Sequence, residues 1–265
     1  MNSTPSQQQA YALVTGASSG IGLHLAECFA ADGIPLIVSA RSAETLAALA
    51  AQWQQQYGVS VVCIPSDLSR PGAAQALADT VRSKGLSVGH VVNNAGVGLF
   101  GEFRHSALEG ELSMMTLNME ALTILSKQFL PDVLLHQGGI LNVASTASFQ
   151  PGPYMAVYYA TKAYVLSFTE AIAEELTGTG ATVMALCPGP TASGFQDKAA
   201  MHDSALVKGK KLPTAKAVAV DGYSAYKAGR RVYIPGVMNW VMAQSVRFSP
   251  RRAVTLMVKL LSRPS

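Results

Sequence analysis

The 265-residue chain has a formal net charge of +4, with 49% apolar and only 14% charged residues; this excludes a disordered or collagen-like polymer and fits one large domain with a substantial core. Cysteines at 28, 63 and 187 have neither metal-ligand spacing nor the number of a disulfide framework, so no metal is expected. The first ten residues lack the basic and apolar regions of a secretory leader, and no stretch reaches the ~18 apolar residues of a membrane span, which makes the cytoplasm the expected location.

The first predicted strand, 12–15, runs into Gly16-Ala17-Ser18-Ser19-Gly20-Ile21-Gly22, and a helical pattern follows over 20–32. A strand, a glycine-rich turn and a helix N-terminus put free amides and positive charge at one point, where a pyrophosphate can sit. Gly16 permits the turn, Gly20 removes a side chain where phosphates approach, and Gly22 allows close helix packing. Ser18 and Ser19 add hydroxyl donors. The spacing is G-x-x-x-G-x-G, not the commoner G-x-G-x-x-G.

The second strand, 36–39, ends at Ala40-Arg41. An acid there would hold both ribose hydroxyls and favour the non-phosphorylated cofactor. A guanidinium suits a 2′-phosphate, which predicts NADP(H) over NAD(H). A helix at 42–57 leads to a third strand at 59–64, where Asp67-Leu68 offers an acceptor for an adenine amino group. After the helix at 71–84 and the strand at 88–93, Asn94-Ala95-Gly96 allows close approach of an adenosine. Each of these loops taken alone also reads as an ordinary turn.

A long helical pattern at 106–136 contains Asn118 in an otherwise apolar stretch, and a buried amide there must be hydrogen-bonded. The fifth strand, 140–144, ends at Ser145, whose hydroxyl can donate to a substrate oxygen; Ser148 is a second candidate on spacing. In the helix at 156–177, Tyr158 and Lys162 stand i, i+4 on one face. An ammonium beneath a phenol favours phenolate and lowers its pKa. Tyr154 and Tyr159 each lack a lysine four residues on. With Tyr158 and Lys162 nearby, Asn118 is suited to hold a water near the lysine.

A sixth strand at 182–186 and a candidate seventh at 231–234 complete the alternation. Strand–helix repetition predicts an α/β fold: one domain over 1–265, a doubly wound parallel sheet of about seven strands with helices on both faces and a C-terminal helical extension. Residues 192–215 are expected to cover the substrate, with Phe195 on one wall and Phe149, Met155 and Tyr154 on the other. That pocket is apolar and suits a hydrophobic ketone or aldehyde.

The ordered set TGASSGIG, Asp67, NNAG, Asn118, Ser145, YYATK and Pro188-Gly189-Pro190-Thr191 resembles the short-chain dehydrogenase/reductase family over roughly 10–195, its pattern closest to the broad-specificity oxidoreductase branch. The resemblance implies that Tyr158 is the catalytic acid, that Lys162 tunes it and holds the nicotinamide ribose, and that Ser145 orients the substrate. It also implies that Asn118 supports a water-linked proton relay and that Pro188, Gly189 and Thr191 border the nicotinamide end. A homodimer or homotetramer follows from likeness. The alternative is a non-catalytic dinucleotide-binding sensor or scaffold, which would have no evident need for the reacting set.

Charge is uneven. Residues 1–203 carry 8 basic against 15 acidic residues, a balance of −7, while 204–265 carry 12 against one, a balance of +11. The basic extension at about 236–265 has two readings. It packs on its own body or on a neighbour, which is the favoured one, or it docks on an anionic membrane or a hydrophobic anionic substrate. No nucleic-acid module is recognisable.

Overall fold

The computed structural model describes residues 9–194 and 212–263. Its strands are β1 (Ala10–Thr15), β2 (Leu36–Ser39), β3 (Val61–Cys63), β4 (Ser87–Asn93), β5 (Gly139–Val143), β6 (Thr182–Leu186) and β7 (Val232–Tyr233). They form one sheet in the order β3-β2-β1-β4-β5-β6-β7, every pair parallel. The flanking helices are α1 (Gly20–Ala31), α2 (Ala43–Tyr57), α3 (Ala73–Ser83), α4 (Leu108–Met115), α5 (Ala121–Leu135), α6 (Ala156–Glu175) and α7 (Ala215–Lys227).

The period of two along each strand divides the core between the two faces of the sheet. Ala12, Val14, Leu36 and Val38 point to the face holding Phe29 of α1 and Trp53 of α2. Leu13 and Ile37 point to the other, against Leu77 of α3 and Leu125 and Phe129 of α5. Both faces are covered, which is why these strands read as continuous apolar runs. The chain winds outward from β1 to β3, then returns to place β4 on the other side of β1. At that reversal the loops after β1 and β4 diverge and open a crevice at the strands' carboxyl ends.

Local signals set the helix ends. Ser42 caps α2 by accepting from the Thr45 amide, and Gly58 stops it in a left-handed conformation. The single helix expected over 106–136 is interrupted: a π-helical turn (Thr116–Glu120) separates α4 from α5 and carries Asn118. The third strand is shorter than its apolar run. The 236–263 extension forms α8 (Val237–Ser245), a 3-10 turn (Val246–Phe248) and α9 (Arg251–Ser262).

Candidate active site

The glycine-rich turn holds its shape through contacts that tolerate no side chain. Gly16 and Gly20 have φ of +66° and +61°, the left-handed region that glycine enters without cost. A Cβ on Gly22 would lie 2.2 Å from Asn94 Nδ2 and 2.5 Å from the Gly16 carbonyl. That Asn94 amide is a strut: it donates to the Thr15 and Gly16 carbonyls at 2.9 and 3.3 Å. Thr15, which the sequence reading passed over, locks the same junction by accepting from the Asn94 and Ala95 amides at 3.1 Å. Asn94 therefore positions the turn rather than presenting its side chain to a ligand. We expect Gly22→Ala to lose about 1–3 kcal/mol in urea unfolding through overpacking, with weaker dinucleotide binding by titration calorimetry.

Helix α1 begins behind this turn with no side-chain cap from Ser19 and no acid in its first turn, so its positive end faces the crevice. Gly16, Ser18, Ser19, Gly20 and Ile21 line a cleft of about 1380 Å³. Arg41, Asp67, Leu68, Asn94, Ala95 and Gly96 continue its wall, and Gly22 lies behind. Asp67 is partly committed: its Oδ1 accepts from the Ser69 amide and hydroxyl at 3.2 and 2.7 Å. The Ser69 hydroxyl, with help from Arg41 and Arg70, holds the Asp67 carboxyl below its ordinary pKa.

At the far end of the cleft stand Ser145, Tyr158 and Lys162, with Pro188, Gly189 and Thr191. Ser145 lies two residues past the end of β5, capping the 3-10 turn Thr146–Phe149, and hydrogen-bonds the Tyr158 phenol. Ser148 is excluded from a like role, because its hydroxyl donates to the Lys162 carbonyl at 2.8 Å inside the protein. The expected electrostatics are corrected: the phenol is not lowered here. Burial pushes Tyr158 up to about 12, and the Ser145 bond pulls only partly the other way. Lys162 Nζ donates to the Val143 carbonyl at 2.7 Å and lies 5.9 Å from the Tyr158 ring centre. Burial lowers Lys162 to about 8.

Asn118 is buried behind this group. Its Oδ1 accepts from the Val97 amide, and its Nδ2 donates to the Val97 carbonyl and the Thr161 hydroxyl, each at 3.0 Å. It ties the loop after β4 to α6, using both amide protons and one lone pair of its oxygen. A Cβ on Gly96 would sit 3.3 Å from Asn118 Oδ1 and 3.4 Å from Lys162 Nζ, so loop, amide and lysine meet at one point.

Two expected substrate residues are elsewhere. Phe149 ends a 3-10 turn that carries it into the cluster with Leu122, Tyr164 and Phe168. Tyr154, at φ +68°, places its ring 6.2 Å from Phe100. Met155, the third residue expected on that wall, does line the cleft, with Gln150 beside it. Phe195 lies outside the described residues.

The short chain dehydrogenase family pattern matches residues 10–203 of this chain. The chain belongs to that family. It is 32% identical over 218 residues to the 2-(R)-hydroxypropyl-CoM dehydrogenase of Xanthobacter autotrophicus, covering 78% of this chain and 87% of that one. It is 29% identical over 182 residues to the 7beta-hydroxysteroid dehydrogenase of Collinsella aerofaciens, 68% of each chain. A short-chain dehydrogenase from Sphingobium yanoikuyae, solved in complex with NADPH, superposes with a TM-score of 0.80 at 31% identity, over 90% of this chain and 94% of that one.

In this short-chain dehydrogenase the C-terminal extension closes the site. Val254 and Val258, i and i+4 on α9, are buried with Met155, Tyr158 and Tyr159. Met238 and Met242 of α8 and Met257 and Leu261 of α9 line the cleft. Asn239 packs over Gly189, where a Cβ would lie 2.7 Å from its Nδ2. The sequence reading missed this wall, although the i, i+4 apolar spacing within the basic segment was its signal. The rim beyond Thr191 is pinned: the Ala192 amide donates to the Pro213 carbonyl at 2.9 Å. Among the described residues, no helix is long and apolar enough to cross a membrane, and no group of three His, Cys, Asp or Glu gathers as for a metal.

Proposed function

We propose that this short-chain dehydrogenase is an NADP(H)-dependent reductase of a hydrophobic ketone, aldehyde or ketoacyl compound. The observation that carries the proposal is the Ser145–Tyr158 hydroxyl pair above Lys162, at one end of a cleft whose other end is the glycine-rich turn. The residues fit the cofactor. The glycine-rich turn, with its Ser18 and Ser19 hydroxyls, and the uncapped end of α1 suit a diphosphate. Arg41 at the mouth suits a 2′-phosphate, and Asp67, Leu68, Ala95 and Gly96 border an adenosine. Lys162 would hold the nicotinamide ribose, and Pro188, Gly189 and Thr191 would border the nicotinamide end. When bound, the nicotinamide supplies the hydride that the carbonyl carbon receives.

The chain's own groups handle the oxygen. A phenol held at about 12 is fully protonated at neutral pH, so Tyr158 is charged with a proton to give to the oxygen that develops negative charge. Ser145 donates a second hydrogen bond and fixes the oxygen's position. Lys162 and the Asn118 clamp support the phenol from behind. The methionines of α8 and α9, with Met155, give the pocket its apolar side, and methionine adapts to irregular ligand shapes.

The test is loss of NADPH absorbance across aromatic ketones, ketosteroids, ketoacyl thioesters and aldehydes, with NADH controls. Turnover with one class supports the reading; tight NADPH binding with no turnover on any class would favour the sensor reading. Arg41→Asp is expected to weaken NADPH by at least about tenfold and leave NADH within about threefold, since it exchanges attraction for repulsion only at the 2′-phosphate. Equal weakening by fluorescence titration would remove the NADP(H) preference. A homodimer or homotetramer belongs to the same reading. Leu108, Leu112 and Met115 form an exposed i, i+4, i+7 stripe on α4 suited to pairing, and light scattering reads the mass.

A further inference from the structure

We propose that the outer face of α8, the 3-10 turn and α9 is a docking surface for an anionic lipid bilayer. The inference goes beyond the reductase reading and does not rest on it, because it concerns binding and not turnover.

Helix α9 divides its circumference by chemistry. Val254, Val258 and Ser262 face the body and are buried. Leu256 and Leu260 are one turn apart on the outer face, both exposed, with Arg252 and Lys259 beside them. Neither leucine touches the cleft. On α8 and the following turn, Val237, Val241, Trp240 (53% exposed) and Phe248 (89% exposed) extend the apolar surface. Monomeric proteins rarely expose this many large apolar side chains together.

Charge decides the occupant. Arg251, Arg252 and Lys259 lie around Leu256, Arg247 and Arg263 of the same segment are exposed, and from 222 to the end of the sequence there is no Asp or Glu. Aromatic and leucine side chains interleaved with arginine and lysine, without acids, match the boundary between lipid headgroups and acyl chains. A second copy fits less well: in a two-fold contact through α9 the cations of one protomer would meet no acid from the other protomer's α8–α9 segment, which has none. The surface is also continuous with the catalytic cleft, since Met257 and Leu261 line the cleft from the adjacent face of the same helix.

The chain has two tryptophans, and Trp53 is fully buried, so emission changes on adding vesicles report Trp240. The experiment titrates the full chain with vesicles of phosphatidylcholine alone or with about 30% phosphatidylglycerol, reading Trp240 emission and co-sedimentation. The expected result is a blue shift and sedimentation with anionic vesicles only, lost at high salt. Arg252→Gln with Lys259→Gln should lower the partition coefficient about 30-fold, roughly fivefold per basic residue. Leu256→Ser with Leu260→Ser should weaken partitioning and leave the salt dependence in place. No shift with anionic vesicles, or equal partitioning into both compositions, would overturn the proposal. So would Trp240 becoming shielded as protein concentration rises without lipid, with dimers in sedimentation velocity, because the occupant would then be a second copy.

Discussion

Tyr158→Phe is expected to lower turnover of any accepted ketone by about 10²–10⁴-fold, the usual worth of a positioned general acid, while NADPH affinity stays within about twofold. The substitution removes one oxygen. The ring remains, with its edge-on packing against Tyr159 at 6.1 Å between centres and its place beside Val254 and Val258. The lost hydrogen bond is the one to Ser145, so unfolding free energy should change by no more than about 1 kcal/mol. Stopped-flow single-turnover rates at saturating NADPH and ketone read the effect without product release. Retained turnover would show that Tyr158 is not the proton donor. Lost NADPH affinity would show that the phenol belongs to cofactor binding. Ser145→Ala should cost less, because the phenol keeps its proton when its partner is removed.

The features that depend on backbone geometry were plain in the sequence. Gly16 and Gly20 stand where φ is positive, and Gly22 stands where any Cβ meets Asn94; these demands leave glycine as the residue that fits, so spacing alone revealed them. The i, i+4 pair Tyr158 and Lys162 was equally visible, because one helix carries both. Features set by tertiary direction were not. Lys162 was expected to sit beneath the phenol and lower its pKa, but the Val143 carbonyl at the end of β5 draws its Nζ aside. No local pattern encodes that carbonyl's position.

Phe149 illustrates the same limit. It is apolar and four residues past Ser145, which made it a natural pocket residue. The 3-10 turn Thr146–Phe149 carries it, partly buried, against the same cluster as Tyr164 and Phe168, which leaves the wall to Met155, its expected neighbour there. Asn118 was readable as a buried, satisfied amide, but the partners Val97 and Thr161 were not, nor was the π turn that presents it. π turns inside α-helices are frequent at functional sites, and this one places Asn118 next to Gly96 and Lys162 of the cleft. The C-terminal extension was recognised by charge, yet its use as a cleft wall required knowing that α9 folds back on Tyr158 and Tyr159.

Lys162→Met is expected to stabilise the protein while removing its activity. Burial lowers the Lys162 pKa from 10.5 to about 8, so at pH 7 the folded protein bears the cost of a buried charge that the unfolded chain does not. That difference corresponds to about 3 kcal/mol. Methionine fills similar volume without charge, but it leaves the Val143 carbonyl without its donor, which returns about 1 kcal/mol. The net expectation is a gain of about 2 kcal/mol in urea unfolding at pH 7. The sign with pH follows from proton counts. Below about pH 8 both states of the wild type hold the proton, and the cost is fully present. Between about 8 and 10.5 the unfolded chain holds it and the folded one does not, so wild-type stability gains on the variant. The advantage of Lys162→Met should therefore be largest below pH 8 and shrink as pH rises through that window. Cys187, pushed up by burial and held down in part by the Lys162 charge, is linked to this titration, so the comparison is best made with Cys187→Ala in both proteins. Turnover should fall by at least about 10²-fold, since no protonated group remains behind the phenol. An advantage unchanged from pH 7 to 10 would mean that the folded and unfolded chains hold the same protons throughout, so that Lys162 stays charged when buried and its pKa is not lowered; an advantage already shrinking at pH 7 would mean that Lys162 is neutral there.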